Sequence, residues 1–164
     1  MVEIGGSVVK IEIHTLGEEK FVRGFNRYVE DMKDFSEVFE DISKYLFELS
    51  GQIFQAQGDP EAFASLSPKY RKWNERHFPG RPILVLRGPL KASLTEGSAD
   101  TIKRIQPKAM EWGTKSPYAH RQYKAGRKPI QLTEGRKRAI GRMIHEWAYQ
   151  KAQRDIPFHE RQLQ

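Results

Sequence analysis

Between Phe35 and Ile53 the apolar residues fall at Phe35, Val38, Phe39, Ile42, Tyr45, Leu46, Leu49 and Ile53, in steps of three and four. Glu37, Glu40, Asp41 and Glu48 occupy the intervening positions. Side chains three or four residues apart share one face of an α-helix, so the spacing predicts a helix of about five turns with one apolar and one acidic face. Asp34, with Glu37 three residues later, has the form of a capping box at its start. A stripe this long and this aromatic has to be buried, so the rest of the chain is expected to pack around it. The acidic face is a solvated surface in a monomer and a ready partner for a basic surface in an assembly.

Upstream, "SVVKIEIHT" alternates, with Val9, Ile11 and Ile13 on one side and Lys10, Glu12 and His14 on the other. That is the period of a half-buried strand, with His14 facing solvent. Thr15 with Glu18 repeats the capping signature, and Phe21, Val22, Phe25, Tyr28, Val29 and Met32 then recur at helical spacing, predicting a first helix of about four turns. Downstream, Gly58, Pro60 and Pro68 break helicity. The stretch to Pro82 carries Lys69, Tyr70, Arg71, Lys72, Trp73, Arg76, His77, Phe78 and Arg81 and reads as a long basic loop dotted with aromatic residues. "PILVLRG" is a short apolar run, read as a buried strand beginning at Ile83 to Leu86. Leu90 to Leu94, "TIKRI" and "AMEW", separated by Gly97 and Pro107, read as further short strands of an antiparallel sheet.

In "WGTKSPYAHRQYKAG" a strand ends at Trp112 and the chain turns through Gly113 and Thr114. Trp112, Tyr118 and Ala119 are read as packing residues, and Lys115, His120, Arg121 and Lys124 as contacts to an acidic neighbour. A final helix runs from a Thr133 cap to about Gln153, with Ile140, Met143, Ile144 and Trp147 inward. Arg136, Lys137, Arg138 and Arg142 in its first turns oppose the helix dipole and call for something negative nearby. The 164 residues suit one domain, placed at 1–153, followed by a C-terminal tail at 154–164 that shows no period. The expected class is α+β: an N-terminal strand and two helices packed on an antiparallel sheet, with a C-terminal helix.

Charge is divided along the chain. Residues 1–63 carry six Lys and Arg against thirteen Asp and Glu, a net of −7, and residues 64–164 carry +14. Such a chain is suited to binding copies of itself or a charged neighbour, acidic face to basic face, and its basic half is suited to a polyanion. Four acidic positions, Glu37, Glu40, Asp41 and Glu48, and the cations Lys69, Arg71, Lys72, Arg76, Lys115, Arg121, Lys124, Arg136 and Lys137, with His120, are the candidate partner contacts.

The parts needed for catalysis are sparse. The chain has no cysteine, which removes disulfides and thiolate chemistry and favours assembly in a reducing cytoplasm. No run approaches the ~20 apolar residues of a membrane span, and the N-terminus lacks the form of a secretion signal, so a soluble, unprocessed protein is expected. His14, His77, His120, His145 and His159 contain no pair at the spacing of a zinc site, and neither a phosphate-cradling glycine loop nor a nucleophile elbow is present. No metal or cofactor is expected. Glu111 with His120 remains as a general acid/base pair only if the fold brings them together. Nucleic-acid binding has better materials in Lys69 to Arg81, where cations offer phosphate contacts and Tyr70, Trp73 and Phe78 offer rings for stacking. The same rings have an alternative use as anchors of the loop on the protein body.

From about Leu16 to about Trp147 the order of motifs resembles the phage virion morphogenesis family, the tail completion proteins of Mu-like and P2-like contractile-tailed bacteriophages. The parts that carry the likeness are Gly58-Asp59-Pro60, Leu66-Ser67-Pro68, Ile83-Leu84 leading to Arg87-Gly88, Leu90-Lys91-Ala92-Ser93, and Gly113-Thr114 followed by Tyr118-Ala119. The resemblance implies a barrel-like antiparallel sheet covered by helices. It also implies a non-catalytic role at the head-proximal end of the tail, in the neck, where a six-fold ring of copies meets tail tube or terminator proteins and head-connector proteins. Assembly in the host cytoplasm, residence in the virion and proximity to genomic DNA go with that role. A charge-split protomer suits a ring, because each copy offers one face to the opposite face of the next.

Overall fold

The computed structural model describes residues 2–5, 8–11, 18–85 and 88–156. In chain order the elements are β1 (Val2–Gly5), β2 (Val8–Ile11), α1 (Glu18–Asp31), α2 (Ser36–Gln55), α3 (Pro68–His77), α4 (Pro89–Thr95), β3 (Thr101–Gln106), β4 (Ala109–Thr114), α5 (Pro117–Lys124) and α6 (Glu134–Asp155). They form two compact units, one of residues 1–33 and 148–164 and the other of residues 34–147.

The expected barrel-like antiparallel sheet is not there. Among the described residues the strands make two separate antiparallel pairs, β1 with β2 and β3 with β4, and neither closes. Three stretches expected to be extended or irregular are otherwise. Leu90 to Leu94 lies in helix α4, where Pro89 at the first position presets the backbone and Leu90, Ser93 and Leu94 bury one face. Lys69 to His77 is the body of α3, opened by Ser67, whose hydroxyl accepts from the Tyr70 amide at 3.4 Å, and by Pro68 in the first turn. Ile83 and Leu84 form a turn, with the Ile83 amide donating to the Gln57 side-chain oxygen at 2.6 Å instead of to a strand partner. Leu86 and Arg87 lie outside the described residues, as do Thr15 and His14.

The larger unit is built around α2. Val38, Ile42, Leu46, Leu49 and Ile53 are buried along one stripe with Phe63, and Phe35, Phe39, Tyr45, Met110, Trp112, Ile140, Met143, Ile144 and Trp147 pack against them. α6 thus contributes its expected inner face, and Thr133 caps it as expected, its hydroxyl accepting from the Arg136 amide at 3.3 Å. A second cluster joins Phe54 at the end of α2 to Leu90 and Leu94 of α4. The β3–β4 hairpin pairs Thr101 with Thr114 through Gln106 with Ala109, as "TIKRI" and "AMEW" predict. Its turn is tied to the start of α2 by the Phe35 amide, which donates to the Pro107 carbonyl at 2.7 Å. At the other end, Thr101 donates its hydroxyl to the Ser93 carbonyl at 2.8 Å, and the Ser93 and Thr114 hydroxyls meet at 2.8 Å, holding α4 to the hairpin.

The smaller unit contains the β1–β2 ribbon, α1 and the Ala148–Asp155 end of α6. Asp155 has a fully buried side chain and accepts two hydrogen bonds from Arg154, from Nε and Nη2 at 2.8 Å each. Arg154 also donates to Asp31, and Arg27 stands 3.9 Å from Asp155. The Arg154 hydrogen bonds hold the Asp155 carboxyl below the usual carboxylate range. A depressed carboxyl stabilises the fold above its unfolded pKa of about 3.9 and loses that contribution as pH falls through the folded value. Thermal unfolding is therefore expected to be insensitive to this group between about pH 5 and 8, and to show an acid-side loss below about pH 4 that is smaller in Asp155→Asn. An identical acid-side profile in the variant would assign the loss to other carboxylates.

Candidate interaction surface

The candidate contacts separate into groups with different surroundings. On α2, Glu40 is paired with Lys103 of β3 at 2.6 Å and Asp41 with Lys44 at 2.8 Å, and Glu37 accepts from Trp147 Nε1 at 3.0 Å. Glu48 is exposed and, among the described residues, in no ion pair. The acidic face seen in the sequence is thus largely matched from within the same chain. Each such pair is exposed, so it orients the side chains more than it stabilises the fold.

Arg136 is a brace. Its guanidinium donates to the Asp59 carbonyl at 2.8 Å, the Asp59 carboxylate at 2.6 Å and the Gln131 carbonyl at 2.8 Å, with a side chain only 13% exposed. The negative group expected near the start of the last helix is therefore Asp59, supplied from within the same chain. Lys137 pairs with Glu134 at 2.7 Å one turn away. Arg127, which the charge pattern did not single out, performs a second bracing task. It holds the Ala64 and Ser65 carbonyls, each at 2.8 Å, and Gln122 Oε1 at 3.0 Å, and so joins the chain before α3 to α5.

The 112–126 stretch divides between interior and surface. Trp112 packs into both apolar clusters and meets Phe47 edge-on at 5.3 Å between ring centroids, and Ala119 reaches the second cluster. Tyr118, expected to pack, is 60% exposed, because α5 buries none of its residues and Tyr118 stands on the wall of an open groove instead of in the core. Lys115, His120, Arg121 and Lys124 are exposed. His120 and Lys124 line a shallow hollow of about 460 Å³ with Ile102, Thr114 and Trp112. Glu111 is on the alternate side of β4 from Trp112 and pairs across the hairpin with Arg104 at 3.1 Å. The geometry does not bring Glu111 and His120 together.

On α3, Lys69, Arg71, Lys72 and Arg76 are all exposed and, among the described residues, in no ion pair. Tyr70, Trp73 and His77 stack along the helix, Trp73 to Tyr70 at 5.4 Å and 21°, and Trp73 to His77 at 4.8 Å and 27°. Phe78 follows at 5.7 Å from Trp73, and the Arg81 guanidinium lies over its ring at 5.1 Å. Between α3 and α5 runs a groove of about 630 Å³, with Leu66, Ile83, Leu84 and Leu90 among its lining residues, Tyr70 on one wall and Tyr118 on the other. Among the described residues no cluster of three or more His, Asp or Glu has the arrangement of a metal site. No helix there is long and apolar enough to cross a membrane. No protein-family model, curated protein or solved structure matches the chain.

Proposed function

We propose that the chain is a structural, non-catalytic subunit of a contractile-tailed bacteriophage virion, a tail completion protein that forms a ring in the neck between tail tube or terminator proteins and head-connector proteins. The motif series from Gly58-Asp59-Pro60 to Tyr118-Ala119 suggests the family, and one observation supports a role in assembly. Helix α1 turns Phe21, Val22, Phe25 and Val29 to solvent, each 40–50% exposed, with Phe21 and Phe25 stacked on each other at 6.2 Å. Four large apolar side chains on one helical stripe are the mark of a surface that a partner covers. Val22, Phe25, Val29 and Met32 also follow the three-and-four spacing of a helix-to-helix seam.

This changes the expected chemistry of the ring. With Glu40 and Asp41 already paired inside the chain, acidic-to-basic contacts between copies are secondary, and burial of the α1 stripe supplies the association. Apolar burial does not weaken with salt as exposed ion pairs do. Native mass spectrometry and size exclusion should therefore find the same closed oligomer at low and high salt. Phe21→Ser with Phe25→Ser should shift it to monomer while far-ultraviolet circular dichroism is retained. A wild-type monomer at every concentration and salt, together with infectious particles when the gene is removed, would overturn the proposal.

A further inference from the structure

Helix α3 buries none of its ten residues and carries four cations against one carboxylate, Glu75. Lys69, Lys72 and Arg76 stand at steps of three and four, which places them in one row along the helix. At 1.5 Å per residue the row spans about 10 Å, close to the axial rise of three successive nucleotide steps in one strand of a duplex at about 3.4 Å each. The half-buried Asn74 and the groove-lining Tyr70 lie on the opposite side, so this row is the outward one.

Two further features define what the row fits. Lys69, Arg71 and Lys72 lie in the first half of the helix, where the unsatisfied amides already carry positive potential, so the free protein holds like charges together. A polyanion relieves that repulsion. The rings beside the row are exposed but stacked on one another through Trp73, so the faces that meet there are engaged within the helix, and a base would have to compete with that stack. A regular line of like charge, flanked by rings already tied to one another, matches a uniformly charged backbone. It lacks the mixed signs and apolar anchors by which protein surfaces set their register. We propose that α3 contacts the phosphate backbone of double-stranded nucleic acid without reading its bases. The inference stands whether or not the chain forms a ring.

The test is fluorescence anisotropy of the full chain with a labelled duplex of mixed sequence across a salt series, with a thymidine single strand of equal charge and polyglutamate as competitors. The wild type should bind the duplex with an affinity that falls steeply with salt. The triple variant Lys69→Gln, Lys72→Gln, Arg76→Gln should reduce the slope of log affinity against log salt by about three. Between about 50 and 200 mM salt the wild type then weakens about 40-fold more than the variant. A control of equal charge change, Lys44→Gln, Lys103→Gln, Lys137→Gln, removes cations that are already paired and should leave the slope unaltered. Several outcomes would overturn the proposal. They are absence of binding at low salt, equal effects of the two triples, tighter binding of the single strand than the duplex, and displacement by polyglutamate as effective as by unlabelled duplex. Native mass spectrometry reads the ring separately, so loss of either property leaves the other measurable.

Discussion

Gly58→Ala is expected to lower the stability of the larger unit by about 4 kcal/mol, at the upper end of what single substitutions do. Gly58 has a φ of +114°, a region that side chains avoid. A Cβ placed there would stand 2.3 Å from the Glu61 carbonyl oxygen, 2.6 Å from the Phe63 nitrogen and 2.8 Å from the Ala62 carbonyl carbon. All three are backbone atoms, and the surrounding backbone has little room to yield. The Gly58 amide donates to the Ile53 carbonyl at 2.8 Å and the Phe63 amide to the Gln57 carbonyl at 2.7 Å. Asp59, the next residue, is held by Arg136 through its carbonyl and its carboxylate. Gly80→Ala is the matched comparison, because Gly80 also has a positive φ, +74°, but its Cβ would meet nothing within 4 Å. That variant should cost about 1 kcal/mol, from backbone conformation alone. Urea denaturation of the two variants separates the contributions, and equal losses would show that crowding at Gly58 is not the cause.

The same turn shows what a single sequence reveals and what it hides. Gly58 and Pro60 mark a break in the chain without indicating what holds it, because the brace, Arg136, lies 77 residues from Asp59. Glu40 and Lys103, 63 residues apart, are hidden for the same reason. A charge count treats each as available for partners, whereas the fold matches them to each other. Elements that bury a face are legible, since burial imposes a period: α2, the inner stripe of α6 and the β3–β4 hairpin follow directly from their spacing. α3 buries no face and so leaves no apolar period to find. Its surviving signal is Ser67-Pro68, a cap residue followed by proline in the first turn. α4 has seven residues, too few for a helical period to be told from a short apolar strand. The strands expected beside the β3–β4 hairpin fall on Leu90 to Leu94, which lies in α4, and on Ile83 with Leu84, which form a turn, and the barrel implied by the family resemblance fails along with them.

The legible part of the fold gives the other large effect. Ile42→Ala is expected to cost about 3 to 4 kcal/mol, and Ile53→Ala a similar amount, because each deletes buried atoms and leaves a cavity. Ile42 is 2% exposed and Ile53 is not exposed at all. Collapse around Ile42 is opposed from both ends of its cluster. The start of α2 is tied to the hairpin turn through the Phe35 amide, and its far end is fixed where Gln57 holds Ile83 at 2.6 Å. Glu48→Ala lies on the same helix with its side chain in water, and should change stability by less than about 0.5 kcal/mol. The contrast between the two faces decides the orientation of α2, since a helix rotated by half a turn would reverse it. It also separates folding from assembly: Ile42→Ala should lower the unfolding midpoint of the isolated chain. The α1 double variant, by contrast, changes exposed side chains and should act on the oligomer with little effect on that midpoint. A denaturation series in which Ile42→Ala and Glu48→Ala lose equal stability would place the core on another face of α2.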